Sequence, residues 1–278
     1  MQHSGKTIQE IIQMRKAGFT LGEITSKTRL KKSTIYHHIQ SIPRSEILIQ
    51  KIKEASRRTQ KMMADKRRGK SVKTYAFAKP KKWTTDFVNL VAHFLFDGQI
   101  NHAGCIYYNR SEKLRDVVIE HMKKILSVDD YKTYETFGGV KRIAYFNVEI
   151  GFFIKQKADE LLIYILFAPK EHKLSFLRAF FDDEGCITCS KHKKYIRGYQ
   201  HSLPILMIIK KLLLDFGIES KIDEKYFELY ISRKDNLLKF KKYINFTPGL
   251  CVNGKRSNSI WKESLEKREI LQRALKSY

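Results

Sequence analysis

Two acids in this sequence stand in the same setting. Asp97 closes the stretch LVAHFLFDGQI (residues 90–100), and Glu184 closes LRAFFDDEGCI (residues 177–187). Aligned without gaps, Leu90 falls on Leu177, Ala92 on Ala179, Phe94 on Phe181, Asp97 on Glu184, Gly98 on Gly185 and Ile100 on Ile187, always 87 residues apart. An acid ending an apolar helix is ordinarily a solvated helix end. Two such acids brought together would repel each other unless something positive lay between them. A hard divalent cation, which takes oxygen ligands, would serve. The repeat therefore singles out Asp97 and Glu184 from their neighbours Asp182 and Asp183, which align with Leu95 and Phe96. On that alignment Asp182 is not essential to both halves, and Asp183 offers little beyond its main-chain carbonyl.

The elements that must position these acids also recur. Self-similarity at this period indicates a duplicated half-domain. The second copy continues as strand, turn and strand (ITCSKHKKYIRGYQ), an apolar helix ending at Gly217, a second hairpin and a further helix. The first copy has a shorter hairpin near Ala103 and Gly104, then a helix, two more strands and a helix beginning near Val148. Both halves read helix, two strands, helix, two strands, helix: an α+β fold of two pseudo-symmetric αββαββα half-domains, over residues 83–170 and 171–278. Gly98 and Gly185 allow a sharp turn from helix into strand.

These residues resemble the LAGLIDADG homing endonucleases in their single-chain, two-motif form, over about residues 85–265. The second motif is close. The first departs at His93 and Leu95, where the family has an apolar residue and an acid, but it keeps the terminal acid Asp97. The resemblance implies that the two motif helices pack along their length, with Ala92 and Ala179 at the crossing. It then brings Asp97 and Glu184 together as metal ligands and catalytic residues, with Mg²⁺ as the cofactor and the carbonyls of Phe96 and Asp183 as further oxygens. It also implies a lysine near each metal. Lys157 and Lys255 are the candidates by position, with Lys155 and Arg256 close enough to take their places. The strands would form a saddle on double-stranded DNA, with Lys191, Lys193, Lys194, Tyr195 and Arg197 of the long second hairpin reading bases or holding phosphates. The first hairpin, with Tyr107, Tyr108 and Arg110, looks too short to do as much, so contact is expected to be heavier on the second half.

Residues 1–44 read as three short helices with Ile8, Ile11, Ile12, Leu21, Ile24 and Leu30 inward. Two short helices, a tight turn and a polar, basic third helix are similar to a helix-turn-helix. That places Lys31, Lys32, Ser33, Thr34, Tyr36 and His37 toward DNA. A three-helix interaction module is the plainer alternative. Residues 45–82 form a basic linker, helical in its first part, that either tracks phosphates or merely connects.

The net charge of +25, with 19 Lys or Arg against 5 Asp or Glu in residues 1–80, calls for a polyanion. No apolar run is long enough for a membrane span, and the first residues do not form a secretory signal. We therefore expect an intracellular, nucleoid-associated monomer without a membrane partner. Cys186 and Cys189 would point to opposite faces of a strand, which argues against zinc. The leading expectation is a site-specific double-strand DNA endonuclease of the kind that mobilises introns or inteins. A regulator that binds DNA through the same fold without cutting is the alternative, and an RNA maturase a third.

Overall fold

The computed structural model describes residues 5–67, 76–101, 103–136, 139–191, 193–252 and 263–278. The chain divides into two compact units, Met1–Ser71 and Val72–Tyr278.

The first unit is helical: α1 (Gly5–Lys16), α2 (Leu21–Thr28), α3 (Lys32–Ile39) and α4 (Glu46–Arg67). Gly18, at φ +85°, reverses the chain after α1. Thr20 and Glu23 then form a reciprocal capping box that starts α2. Ile11, Ile24, Ile35 and Ile39 meet in a small sealed core, with Met14, Phe19, Leu21, Leu30 and Ile42 packed round it. The first part of the basic segment 45–82 is one continuous helix, α4 (Glu46–Arg67). It contributes the buried Leu48 and an ion pair from Lys51 to Glu23.

The second unit holds the two αββαββα repeats. The first comprises α5 (Thr85–Phe96), β1 (Gly98–Asn101), β2 (Gly104–Asn109), α6 (Glu112–Leu126), β3 (Lys132–Glu135), β4 (Lys141–Tyr145) and α7 (Val148–Tyr164). The second comprises α8 (Lys170–Asp183), β5 (Gly185–Cys189), β6 (Lys194–Tyr199), α9 (Leu203–Leu214), β7 (Lys221–Asp223), β8 (Glu228–Ser232) and α10 (Lys234–Tyr243), and α11 (Lys267–Lys276) is added at its end. Each half has a four-stranded antiparallel sheet, in the orders β1-β2-β4-β3 and β5-β6-β8-β7. No described helix is long and apolar enough to cross a membrane.

The apolar faces of α5 and α8 pack on each other, with Ala92 and Ala179 fully buried. Ser175 donates to the Thr85 carbonyl at 2.9 Å across that contact. Each helix ends at a glycine for a steric reason. A Cβ on Gly98 would fall 2.1 Å from the Phe94 carbonyl oxygen, and one on Gly185 would fall 2.1 Å from that of Phe181. The chain thus leaves each helix directly into a strand, and the acid before each glycine becomes the helix C-cap.

Candidate active site and nucleic-acid interface

Asp97 caps α5 and Glu184 caps α8, and the packing of those helices brings the two carboxyl groups into one partly buried cluster. Burial raises the Asp97 carboxyl to about 8, and the negative charges of Asp183 and Glu184 push the same way. Burial likewise raises Glu184 to about 7, assisted by Asp183. Without a counter-ion, two groups that are ordinarily acidic thus titrate near neutrality. A divalent cation would relieve both the burial and the repulsion, so the carboxylate pair suits a hard oxygen-seeking ion. Among the described residues, no group of three His, Cys, Asp or Glu side chains forms a ligand set. Main-chain, water or substrate oxygens would complete the coordination.

Asp183 is the residue that the repeat alignment undervalued. Its side chain is fully buried, and the first half-domain surrounds it. His93 Nδ1 lies 2.8 Å away, Tyr107 donates its hydroxyl at 2.6 Å, and Asn109 Nδ2 approaches at 3.3 Å. The same Asn109 amide donates to Asp97 Oδ2 at 2.8 Å. Burial opposes a charge on His93, but the attraction of Asp183 outweighs it and raises the imidazole above its usual value. The signal was present in the sequence: Phe176, Phe180 and Asp183 share one helical face, so Asp183 had to meet α5.

Asp182 and Lys267 complete the surroundings. Asp182 accepts from the Thr247 amide at 2.9 Å and from its hydroxyl at 2.6 Å, which ties the chain after α10 to the end of α8. Lys267 is buried, and its ammonium donates to the carbonyls of Gly185 (2.7 Å), Asp182 (3.0 Å) and Phe181 (3.4 Å). The Phe181 and Asp182 carbonyls are in the last turn of α8, where intrahelical partners run out, and Gly185 begins β5. Burial lowers the pKa of Lys267, against the pull of Asp182. Lysine at the start of a charged helix gives no sequence cue for this role.

Lys157, the lysine expected near the first acid, does not lie beside it. Lys157 pairs with Glu160 and lies over the rings of Trp83 (5.7 Å) and Phe153 (5.9 Å). Trp83 precedes the N-cap of α5, whereas Asp97 is its C-cap. A helix of 12 residues separates them, or roughly 18 Å. Lys157 is on the middle of a long helix, and its ring contacts hold it at the wrong end of α5. Lys255 and Arg256 lie outside the described residues.

Strand register sorts the sheet side chains. Arg197, Tyr195 and Tyr199 share the open face of the second sheet, but Arg197 is paired with Glu228 at 2.8 Å, and Asp223 shares that face. Lys194 falls on the opposite face with Ile196, and its ammonium is 4.7 Å from the centre of the Tyr278 ring. Lys191 and Lys193 are exposed at the hairpin tip. In the first sheet Tyr107 belongs to the buried face, while Gln99, Tyr108, Lys132, Tyr134 and Arg142 line the open one. Arg142 stacks over Tyr134 at 4.8 Å, and Tyr108 donates to Gln99 at 2.7 Å. No acid stands among the strand residues of that face. The expected weighting toward the second half is therefore not seen in the strand charges, because Glu228 and Asp223 offset its cations. In the first unit, Lys31, Lys32, Ser33, Tyr36 and His37 are exposed at the start and along one side of α3, with Thr34 half-buried and Ile35 and Ile39 inward.

Residues 171–245 match the family described as the LAGLIDADG-like domain. Residues 171–245 carry a LAGLIDADG-like domain. The matched residues span α8 to α10, so they include the helix that Glu184 caps. A curated relative, the probable translation initiation factor IF-2 of Pyrococcus horikoshii, is 35% identical over 88 residues, which cover 32% of this chain and 8% of that protein. The chain thus spans only a small part of that relative. Among solved structures, I-DmoI in complex with DNA and Mn is similar at 15% identity and a TM-score of 0.46, covering 58% of this chain and 96% of that one. The N-terminal LAGLIDADG domain of DUF199/WhiA is similar at 17% identity and a TM-score of 0.46, covering 62% and 88%.

Proposed function

We propose that the protein is a divalent-metal-dependent endonuclease that cuts both strands of duplex DNA at a specific site. The observation that carries this reading is the convergence of Asp97 and Glu184, one from each repeat, in a cluster whose pKa values of about 8 and about 7 call for a cation. Asp97 and Glu184 would hold the metal, with the carbonyls of Phe96 and Asp183 beside them. A divalent ion held there would supply activation of an attacking water and charge stabilisation at the leaving oxygen of a phosphodiester. The chain supplies the rest. Asn109 orients the Asp97 carboxylate, Lys267 fixes the turn that carries Glu184, and the open sheet faces orient the duplex through Lys132, Arg142, Tyr134, Lys191, Lys193 and Arg197. The α2–α3 pair acts as a helix-turn-helix that lengthens the recognised site, with Lys31 and Lys32 on phosphates and Ser33, Thr34, Tyr36 and His37 toward the groove.

The test is cleavage of a supercoiled plasmid library with Mg²⁺ or Mn²⁺. Linearisation at one sequence supports the reading, provided that Asp97→Asn with Glu184→Gln binds the same site without cutting it. Absence of any cut by folded wild-type protein sinks it. One observation favours a second reading, a DNA-binding regulator: among the described residues, the one lysine bonded at the acid turns, Lys267, has its ammonium engaged by three carbonyls. If the double variant retains full occupancy and the wild type never cuts, this reading replaces the first.

A further inference from the structure

The two repeats fill equivalent places at the α5–α8 contact in opposite ways. His93 is the repeat mate of Phe180, and Asp183 that of Phe96, each at the 87-residue offset. Strand register gives a third pair: Tyr107 lies opposite Gly98, as Gly198 lies opposite Gly185. In the second half, Phe180 occupies the room left by Gly198, where a Cβ would come within 2.4 Å of its ring, and Phe96 packs on it at 5.1 Å. In the first half, the smaller His93 leaves room that Tyr107 fills, and the acid Asp183 stands where the other side has a phenyl ring. One molecule thus contains both the apolar and the ionic solution to the same packing problem.

The ionic solution is the expensive one. A buried acid and its polar partners lose hydration that apolar packing would not, and such a cluster is weak evidence for added stability. The apolar side shows that the fold does not require it. What the ionic side adds is a connection. Asn109 Nδ2 reaches both Asp183 Oδ1, from the second half, and Asp97 Oδ2, from the first. Asp183 is also the residue before Glu184. A single hydrogen-bonded chain therefore runs from the backbone neighbour of one acid to the carboxylate of the other.

We propose that Asp183, clamped by His93 and Tyr107, is a positioning residue that fixes Asp97 relative to Glu184 through Asn109 before metal or DNA arrives. Its consequence for cation binding rests on the nuclease reading above. The geometric claim does not.

The test replaces the ionic solution with the apolar one already present in the molecule: His93→Phe, Tyr107→Gly and Asp183→Phe together. Phe96, which precedes Asp97, shows that a phenylalanine is accepted before the acid. Two quantities are read on DNA-free protein: Mn²⁺ binding, from the paramagnetic resonance of free Mn²⁺, and the NMR signal of the Asn109 side-chain amide. The triple variant is expected to melt cooperatively, to bind Mn²⁺ about 10–100-fold more weakly, as loss of a supporting shell does, and to shift the Asn109 signal. A cooperatively folded variant with wild-type Mn²⁺ affinity and an unmoved amide overturns the proposal. Should the triple variant not fold, Asp183→Asn is read in the same two ways, with an affinity loss of about tenfold expected and wild-type values contradicting it. If wild-type protein binds no Mn²⁺ at all, the nuclease reading falls and the amide signal alone decides the positioning claim.

Discussion

At the scale of single residues, the acids set the energetics of the site. Asp97 has a folded pKa of about 8 against an ordinary value of 3.8. Between those values the folded state holds a proton that the unfolded state has released, so metal-free stability falls as pH rises from about 4 to 8. Glu184, at about 7, adds to the same trend over a narrower range. Asp97→Asn removes the larger share. At pH 8 without metal it is expected to raise the melting temperature, by roughly 2–4 °C per kcal/mol recovered, and to flatten the pH dependence in calorimetry. A lower melting temperature would contradict the assignment. Lys267→Met leaves three carbonyls at the α8 turn without their donor and is expected to destabilise by about 1–3 kcal/mol in urea titration. The two acids were legible from the 87-residue repeat. Asp183 was not valued, because alignment against Phe96 asks what both halves share, whereas its role depends on what they do not share. Lys267 could not be read at all, since burial of an amine by three carbonyls from a remote turn leaves no local pattern.

At the scale of elements, helix ends and strand parity control what the site can contain. Gly198 carries a normal backbone conformation but has a phenyl ring where its side chain would be. Gly198→Ala is expected to destabilise by about 1–3 kcal/mol through overpacking, and Phe180→Leu in the same chain to recover part of that. A neutral Gly198→Ala in thermal melting would contradict the close contact of Gly198 with the Phe180 ring. The order of helices and strands in both halves was legible from apolar periodicity and glycine positions. Side-chain direction was less so. Lys194 and Tyr107 fall on buried faces because each stands an even number of residues from a core position, Ile196 and Cys105 respectively. Lys157 was chosen by its position in the repeat, whereas α7 runs on to Tyr164 and fixes it near Trp83.

For the whole molecule, a net charge of +25 is spread over both units, and the proposed function has each of them contact DNA. Phosphate contacts lower the salt sensitivity of binding when they are removed, by about one unit of slope each. Lys31→Ala with Lys32→Ala is therefore expected to reduce the slope of log affinity against log salt by about two and to leave cutting at a tightly bound site intact. An unchanged slope would exclude these lysines from the interface. The excess charge and the helical first unit were both evident in composition and pattern, but the pairing of Arg197 with Glu228 was not, because partners 31 residues apart meet only in the folded sheet.

The central claim is that Asp97 and Glu184 act together on a phosphodiester. Strand-resolved cleavage of the library-selected site, with Mg²⁺, by wild type, Asp97→Asn and Glu184→Gln tests it most directly. The account predicts a double-strand cut by wild type and loss of cutting by at least a hundredfold in each single variant, with binding of the site retained. Wild-type cutting rates in either variant would contradict it.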